Sequence, residues 1–366
     1  MSLPNYLSSQ ISEETRTHTV GGSFVLENGQ ILEDVVIAYR TWGDIANAED
    51  HAILICHALT GSADVDAWWP SIIGAEKAFD PARDFIVCAN ILGSCYGTTG
   101  PVTLNPGGER RYQADFPRIS VRDMVNLQRV LLDELGVDRL EVVTGPSLGG
   151  MQALEWAAMY PDRVGSVIPI GVGGQHSAWC IGVSEAQRTA IQADPNWNGG
   201  YYSEDAPPAA GLAAARMMAV CTYRSWHSFD ERFGRSKRSD DVYEVQSYLR
   251  HQGRKINDRF DANTYVTLTH AMHTHDLGRG RGEYQDVLAS IRQPALVVSV
   301  STDALYPPHE QEALAELLPN AQHVLLESAH GHDGFLIETE NLGQVILRFR
   351  RSGYAARTLQ AVNLSR

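Results

Sequence analysis

The sequence of 366 residues predicts an α/β fold: a mostly parallel central sheet flanked by helices, with a helical insertion late in the chain. Three observations carry this. Short apolar, β-branched runs alternate with helix-length segments, the pattern of a parallel sheet covered on both faces. One run passes through Gly145-Pro146-Ser147-Leu148-Gly149 straight into a helical pattern. And residues 173–285 contain no strand-like run, although a structureless loop of that size is improbable.

Taken in order, Phe24-Val25-Leu26 and Val35–Tyr39 flank Asn28-Gly29, a hairpin signal. The apolar strands then follow at Ala52–Cys56, Phe85–Ala89, Leu140–Thr144, Val164–Val172, Pro294–Val300 and His323–Glu327. One connecting helix is readable in detail. Ser120 with Asp123 resembles a capping box, Met124, Leu127, Leu131 and Leu135 share a face, and Gly136 ends it. The stretch 173–285 holds Trp179, Trp197, Trp226 and helix-like segments such as Gly211–Val220. It reads as a helical lid, leaving residues 1–172 and 286–366 as the core.

Strand, G-x-S-x-G and helix in succession form the nucleophile elbow of an α/β-hydrolase fold. A serine on so tight a turn leaves no room for a Cβ two residues to either side, so Gly145 and Gly149 fit where larger residues would clash. The turn exposes the Ser147 hydroxyl and aims the Leu148 N–H, at the helix start, towards a developing oxyanion.

Bulk composition narrows the function. Hydrophobic content of 43% and charged content of 20% are ordinary for a soluble globular protein. A net charge of −14 argues against nucleic acid or an anionic membrane as main partner. No apolar run reaches membrane-span length, and the N-terminal residues lack a basic-then-apolar signal pattern, which together predict a cytoplasmic protein. Cys56, Cys88, Cys95, Cys180 and Cys221 are odd in number, lack C-x-x-C spacing and read as buried free thiols.

An elbow serine needs a base and a group that orients it, supplied in this fold in the order Ser, Asp/Glu, His. Asp303 follows the Pro294–Val300 strand. Two histidines follow the next strand, His330 and His332. His332 lies further into the loop, and Gly331 before it allows a sharp turn, which favours His332. The second oxyanion donor belongs after Ile53–His57, where the N–H of Leu59 or of Thr60 is available; His57 itself reads as structural. His270, His273 and His275 form H-x-x-H-x-H but lack a carboxylate or cysteine partner, so no metal is expected. Arg279 and Arg281 read as a solvated flexible loop, and Arg235–Asp241 as exposed surface.

Longer runs carry a resemblance. They are His57-Ala-Leu-Thr-Gly61, Asn90–Pro101, Asp115-Phe-Pro117 with Asp123-Met124, the extended elbow Gly145–Trp156, and His176-Ser-Ala-Trp179. Ala215-Arg-Met217 with Thr222–Ser225, His275–Gly280 and Gly331-His-Asp333 complete the set. From about residue 20 to 350 the chain resembles the homoserine O-acetyltransferases, in the homoserine/serine O-acyltransferase branch of α/β-hydrolases. Leu148 stands where many members carry methionine, a volume-preserving difference. The resemblance implies Ser147, Asp303 and His332 as catalytic residues and Arg216, Tyr223 and Asp333 as the amino-acid-binding set. It implies acetyl-CoA as co-substrate with no permanently bound cofactor, L-homoserine as acceptor, a place in methionine synthesis, and a homodimer joined through the lid. Succinyl-CoA as donor, L-serine as acceptor, or a plain esterase remain alternatives on the same scaffold.

Overall fold

The computed structural model describes residues 3–352; Met1, Ser2 and the end of the predicted core, 353–366, lie outside. The Asn28-Gly29 signal becomes an antiparallel hairpin of β1 (Arg16–Val25) and β2 (Ile31–Trp42), with Gly29 at φ 82° in the turn. The apolar runs become β3 (Ala52–Ile55), β4 (Phe85–Ala89), β5 (Val142–Pro146) and β6 (Val167–Ile170). Inside the insertion lies a two-stranded hairpin, β7 (Lys237–Ser239) and β8 (Val242–Tyr243). Two late strands, β9 (Ala295–Val300) and β10 (Ala321–Leu326), complete the main sheet.

Eight strands run in the order β1-β2-β4-β3-β5-β6-β9-β10. Within this sheet only β2 pairs antiparallel, with both its neighbours; β4, β3, β5, β6, β9 and β10 are parallel. Strand alternation divides the apolar residues between two cores, one on each face. Leu54, Val87, Val143 and Val297 face one; Ile53, Ile55, Ile86, Ile168 and Val298 face the other.

Helix α1 (Val121–Glu134) opens on a true capping box, Ser120 with Asp123, and is followed by Gly136 at φ 73°. It lays Met124, Leu127 and Leu131 on the first core beside α2 (Leu148–Met159), the helix leaving the elbow. The insertion carries α3 (Ala178–Gln192), α4 (Ala209–Tyr223), α5 (Trp226–Phe233), α6 (Glu244–Asn257) and α7 (Ala262–Met272). Helix α4 packs against α3 and α6. Two glycines permit the close approach: a Cβ on Gly211 would lie 2.8 Å from the Ala190 carbonyl, and one on Gly253 3.0 Å from the Ala213 carbonyl.

Two expectations need correction here. No strand was expected in the insertion, yet the β7–β8 hairpin lies there; its strands are only three and two residues long and half-exposed or exposed. Arg235–Asp241 is exposed throughout, as expected, and contains β7. Of the five thiols, Cys221 is exposed rather than buried, since it lies on the outer side of α4.

Candidate active site

The strands end at one edge of the sheet, and the chemistry-bearing loops leave from there. At the end of β5, Ser147 adopts φ 55°, ψ −121°, a strained conformation that costs about 1–3 kcal/mol and persists only where its surroundings impose it. They do. A Cβ on Gly145 would lie 2.3 Å from the Cys56 carbonyl oxygen, and one on Gly149 only 2.0 Å from it. The elbow is thus pressed against the end of β3, and only glycine fits on either side. The Ser147 N–H donates to the Ile170 carbonyl at 2.8 Å, tying the bend to β6. Leu148 is the first residue of α2, where N–H groups have no intrahelical acceptor.

After β9, Asp303 is buried and held on both oxygens. Oδ1 accepts the N–H groups of Leu305 (2.8 Å) and Tyr306 (2.9 Å), and Oδ2 takes His332 Nδ1 at 2.6 Å. With the proton on Nδ1, His332 Nε2 is a free acceptor; it is buried and has no partner among the described residues. The imidazole is clamped by the rings of Tyr306 (5.2 Å), Phe335 (5.1 Å) and Tyr223 (5.7 Å). It stands beside Gly171, where a Cβ would approach its Cε1 to 3.4 Å; Ile170, the residue before, is the one that receives the Ser147 N–H. No hydrogen bond joins the Ser147 hydroxyl to His332 Nε2, a common state for catalytic contacts before substrate tightens them. His330 is directed elsewhere, with Nδ1 3.4 Å from the Ser228 hydroxyl.

Ala58 to Gly61 forms a tight turn closed by Gly61 N–H to Ala58 O at 2.9 Å. Its central residues are Leu59 and Thr60, and neither N–H is engaged with another group among the described residues. His57 is structural in this arrangement. Its Nδ1 bonds to Ala58 O (2.8 Å), and its Nε2 receives the Ile91 N–H (3.2 Å). Burial lowers its pKa to about 4, so it stays neutral.

Next to the elbow lies a cavity of about 360 Å³ lined by Thr60, Tyr96, Pro146, Arg216, Arg259 and Phe335, among others. The Arg216 guanidinium, from α4, sits 5.6 Å above the Tyr223 ring and has no ion-pair partner among the described residues. The Tyr223 ring in turn contacts His332. Asp333 is already paired: Arg224 Nε lies 3.1 Å from its Oδ2. Burial raises the Asp333 pKa, opposed by Arg224, His332 and Arg216. Sequence reasoning gave Arg224 no role, although it stands inside the Thr222–Ser225 run. The signal available was its place next to Tyr223.

The insertion is stapled to the histidine loop. A Cβ on Gly331 (φ 69°) would lie 2.7 Å from Ser225 N and 2.8 Å from Tyr223 O, and the Ser225 hydroxyl donates to the Ala329 carbonyl.

The remaining candidates do not converge on this site. His275 directs Nε2 to the Gly173 carbonyl (2.9 Å), while His273 contacts Arg188, so the H-x-x-H-x-H residues do not share a centre. The trio with ligand atoms in mutual reach, His51, Asp84 and Glu141, is bridged by Arg350 through both carboxylates. Arg279 and Arg281 are not a solvated loop: they pair with Glu27 and with the buried Glu155. Opposite charges 126 and 252 residues away decide their placement, which local sequence does not display.

Comparison with known proteins bears on the fold and the family. The family described as alpha/beta hydrolase fold matches residues 51–339. A protein of Nostoc punctiforme named homoserine O-acetyltransferase is 57% identical over 344 residues, 93% of this chain and 97% of its own. The crystal structure of homoserine O-acetyltransferase from Bacillus anthracis superposes with a TM-score of 0.85 at 25% identity, covering 92% of this chain and 97% of its own. That of esterase E22 gives the same TM-score at 29% identity, covering 92% of this chain and 99% of its own.

Proposed function

The chain belongs to the homoserine O-acetyltransferase family on the α/β-hydrolase fold, and from that premise we propose that it moves an acetyl group from acetyl-CoA to L-homoserine. CoA and O-acetyl-L-homoserine are the products, a step of methionine synthesis. No permanently bound cofactor takes part; acetyl-CoA is a co-substrate.

His332 Nε2 takes the Ser147 proton as the oxygen attacks the thioester carbonyl. The oxyanion is held by Leu148 N–H together with Leu59 or Thr60 N–H; one such donor is worth about 3 kcal/mol. The C–S bond breaks, CoA leaves with the proton from His332, and acetyl-Ser147 remains. Asp303, fixed by two backbone N–H groups, keeps His332 in the correct tautomer and stabilises its charged form. Homoserine enters with its carboxylate on Arg216, its ammonium towards Asp333 and its body along Tyr223. His332 takes the homoserine hydroxyl proton, the oxygen attacks the acetyl group, and the proton returns to Ser147. The roof of insertion helices limits competition from water.

The observation that carries the acceptor assignment is Arg216: an arginine lining the cavity beside the elbow, with an aromatic ring under it and no ion-pair partner among the described residues. Purified protein is tested with acetyl-CoA and succinyl-CoA against L-homoserine and L-serine, following thiol release. Acetyl-CoA with L-homoserine is expected to be fastest, and acetyl-CoA alone to leave an acetylated Ser147. Arg216→Ala is expected to raise the homoserine KM about 10- to 100-fold, the scale of lost charge-assisted hydrogen bonds, and to leave acetyl-Ser147 formation intact. Likeness to esterase E22 favours hydrolysis as the second reading; acetyl-ester hydrolysis indifferent to Arg216→Ala and to homoserine would establish it.

The same proposal includes a homodimer joined through the lid and a cytoplasmic location. Trp179 and Trp226, 56% and 72% exposed on the insertion, support a covered face there. No helix among the described residues is long and apolar enough to cross a membrane. Sedimentation velocity checks the dimer.

A further inference from the structure

The turn that presents Leu59 and Thr60 is held by a residue from the insertion. Arg259, between α6 and α7, donates from Nη1 to the Thr60 carbonyl at 2.9 Å, and its Nη2 lies 3.4 Å from the Thr60 hydroxyl. The two residues are 199 apart in sequence. Arg259 is steadied in turn by Tyr96, whose buried hydroxyl accepts from Nη1 (3.0 Å) and donates to the Arg259 carbonyl (2.7 Å). Tyr96 is anchored through its own carbonyl, which accepts Asn90 Nδ2 at 2.8 Å, while Asn90 Oδ1 takes the Ala63 N–H at 2.8 Å, just beyond the turn. The Asn90–Pro101 run, given no chemical role so far, is thus a platform under the turn.

We infer that Arg259 is a positioning residue for the oxyanion turn: by holding the Thr60 carbonyl it fixes the Thr60–Gly61 peptide at the far end of the turn, and so limits the swing of the neighbouring Leu59–Thr60 peptide, which carries the Thr60 N–H. The turn's two outer constraints are complementary. Ala58 O is occupied by Gly61 N–H and by His57 Nδ1, and Thr60 O by Arg259. With both outer carbonyls engaged, the Ala58–Leu59 peptide, which carries the Leu59 N–H, and the Thr60–Gly61 peptide are both fixed, and the Leu59–Thr60 peptide is suspended between them. Preorganised donors stabilise a transition state because they need not reorient during the reaction. Since Arg259 comes from the insertion, the oxyanion site is complete only when the insertion is seated. The inference rests on the acyl-serine reading above.

The test compares wild type, Arg259→Gln, Arg259→Lys and Tyr96→Phe with two donors, acetyl-CoA and the short thioester S-acetyl-N-acetylcysteamine. Arg259→Gln is expected to lower kcat about 10- to 100-fold, short of the 10²- to 10³-fold typical of outright loss of a donor. The short thioester should lose rate in parallel with acetyl-CoA. The homoserine KM and the pH midpoint of kcat should stay near wild type, and Arg259→Lys should recover part of the loss. Tyr96→Phe removes one oxygen only and should show the same pattern more weakly; it decides the matter if Arg259→Gln does not fold. Unchanged kcat overturns the inference. So does a loss confined to the KM for acetyl-CoA with the short thioester unaffected, which would make the guanidinium a CoA contact. Failure of wild type to form acetyl-Ser147 would instead bring down the acyl-serine reading itself.

Discussion

The elbow and the roof above it are built on different principles. The elbow is specified by backbone contact at the turn itself: a Cβ on Gly145 would meet the Gly149 backbone at 2.7 Å, and the Cys56 carbonyl, at the end of the neighbouring strand, excludes any larger residue at both glycines. The roof is specified by partners far apart in the chain: Arg224 with Asp333, Arg259 with Thr60, Gly331 against Tyr223 and Ser225. The proposed nucleophile is therefore set by backbone packing at its turn, whereas the groups proposed to read the substrate are set by long-range side-chain pairing. Damage to the first should abolish chemistry. Damage to the second should alter affinity, alignment and pH dependence.

The largest effect is expected from Ser147→Ala, with acyl transfer falling by roughly four to six orders of magnitude, as for other serine nucleophiles. Thiol release on acetyl-CoA addition measures it, and retained activity with a retained fold would break the distinction. Gly149→Ala comes next. A methyl group 2.0 Å from a backbone oxygen forces the elbow to rebuild, at a cost of about 4 kcal/mol or more. Denaturant unfolding checks this, and a small change would mean the elbow yields more easily than its packing implies.

Third is an acid effect. His57 is buried with a pKa lowered to about 4, against an unfolded value near 6.5, so the unfolded chain binds the proton more readily. Stability should then fall as pH drops from about 6.5 towards 4, by about 3 kcal/mol at most for this group. Melting temperature against pH should show the slope, and His57→Gln should remove its share, part of the rest coming from His176 and His270, whose pKa values burial also lowers, to about 3 and about 4. The smallest effect is on the roof. Arg224→Met leaves Asp333 without its partner, at about 1–3 kcal/mol, below the fully buried case because both side chains are partly exposed. The carboxyl pKa, already raised, should rise further. The deficit should be greatest at neutral pH and shrink as pH falls through that pKa, because the protonated acid needs no cation. A pH-independent deficit would point to lost packing instead.

How much was legible follows the same division. Apolar alternation located the main strands, with ends shifted by a few residues: Leu140–Thr144 was expected where β5 is Val142–Pro146, because Gly145 and Pro146 lack strand character but extend the ladder into the elbow. The Ser120–Asp123 box was readable because both partners lie within one helical turn. Arg224 and Arg259 were not, because an arginine just past a helix end or between two helices resembles any surface arginine until its partner is known. The partners lie 109 residues on and 199 residues back. The β7–β8 hairpin escaped for want of any apolar run.

Gly331 has one more consequence. Because any side chain at 331 would run into the backbone at 223–225, the roof and the loop bearing the imidazole are packed backbone against backbone at their junction. An engineer who transplants a relative's roof to change the acceptor must carry residues 328–334 along with it, or the proton acceptor will be left out of register with its nucleophile.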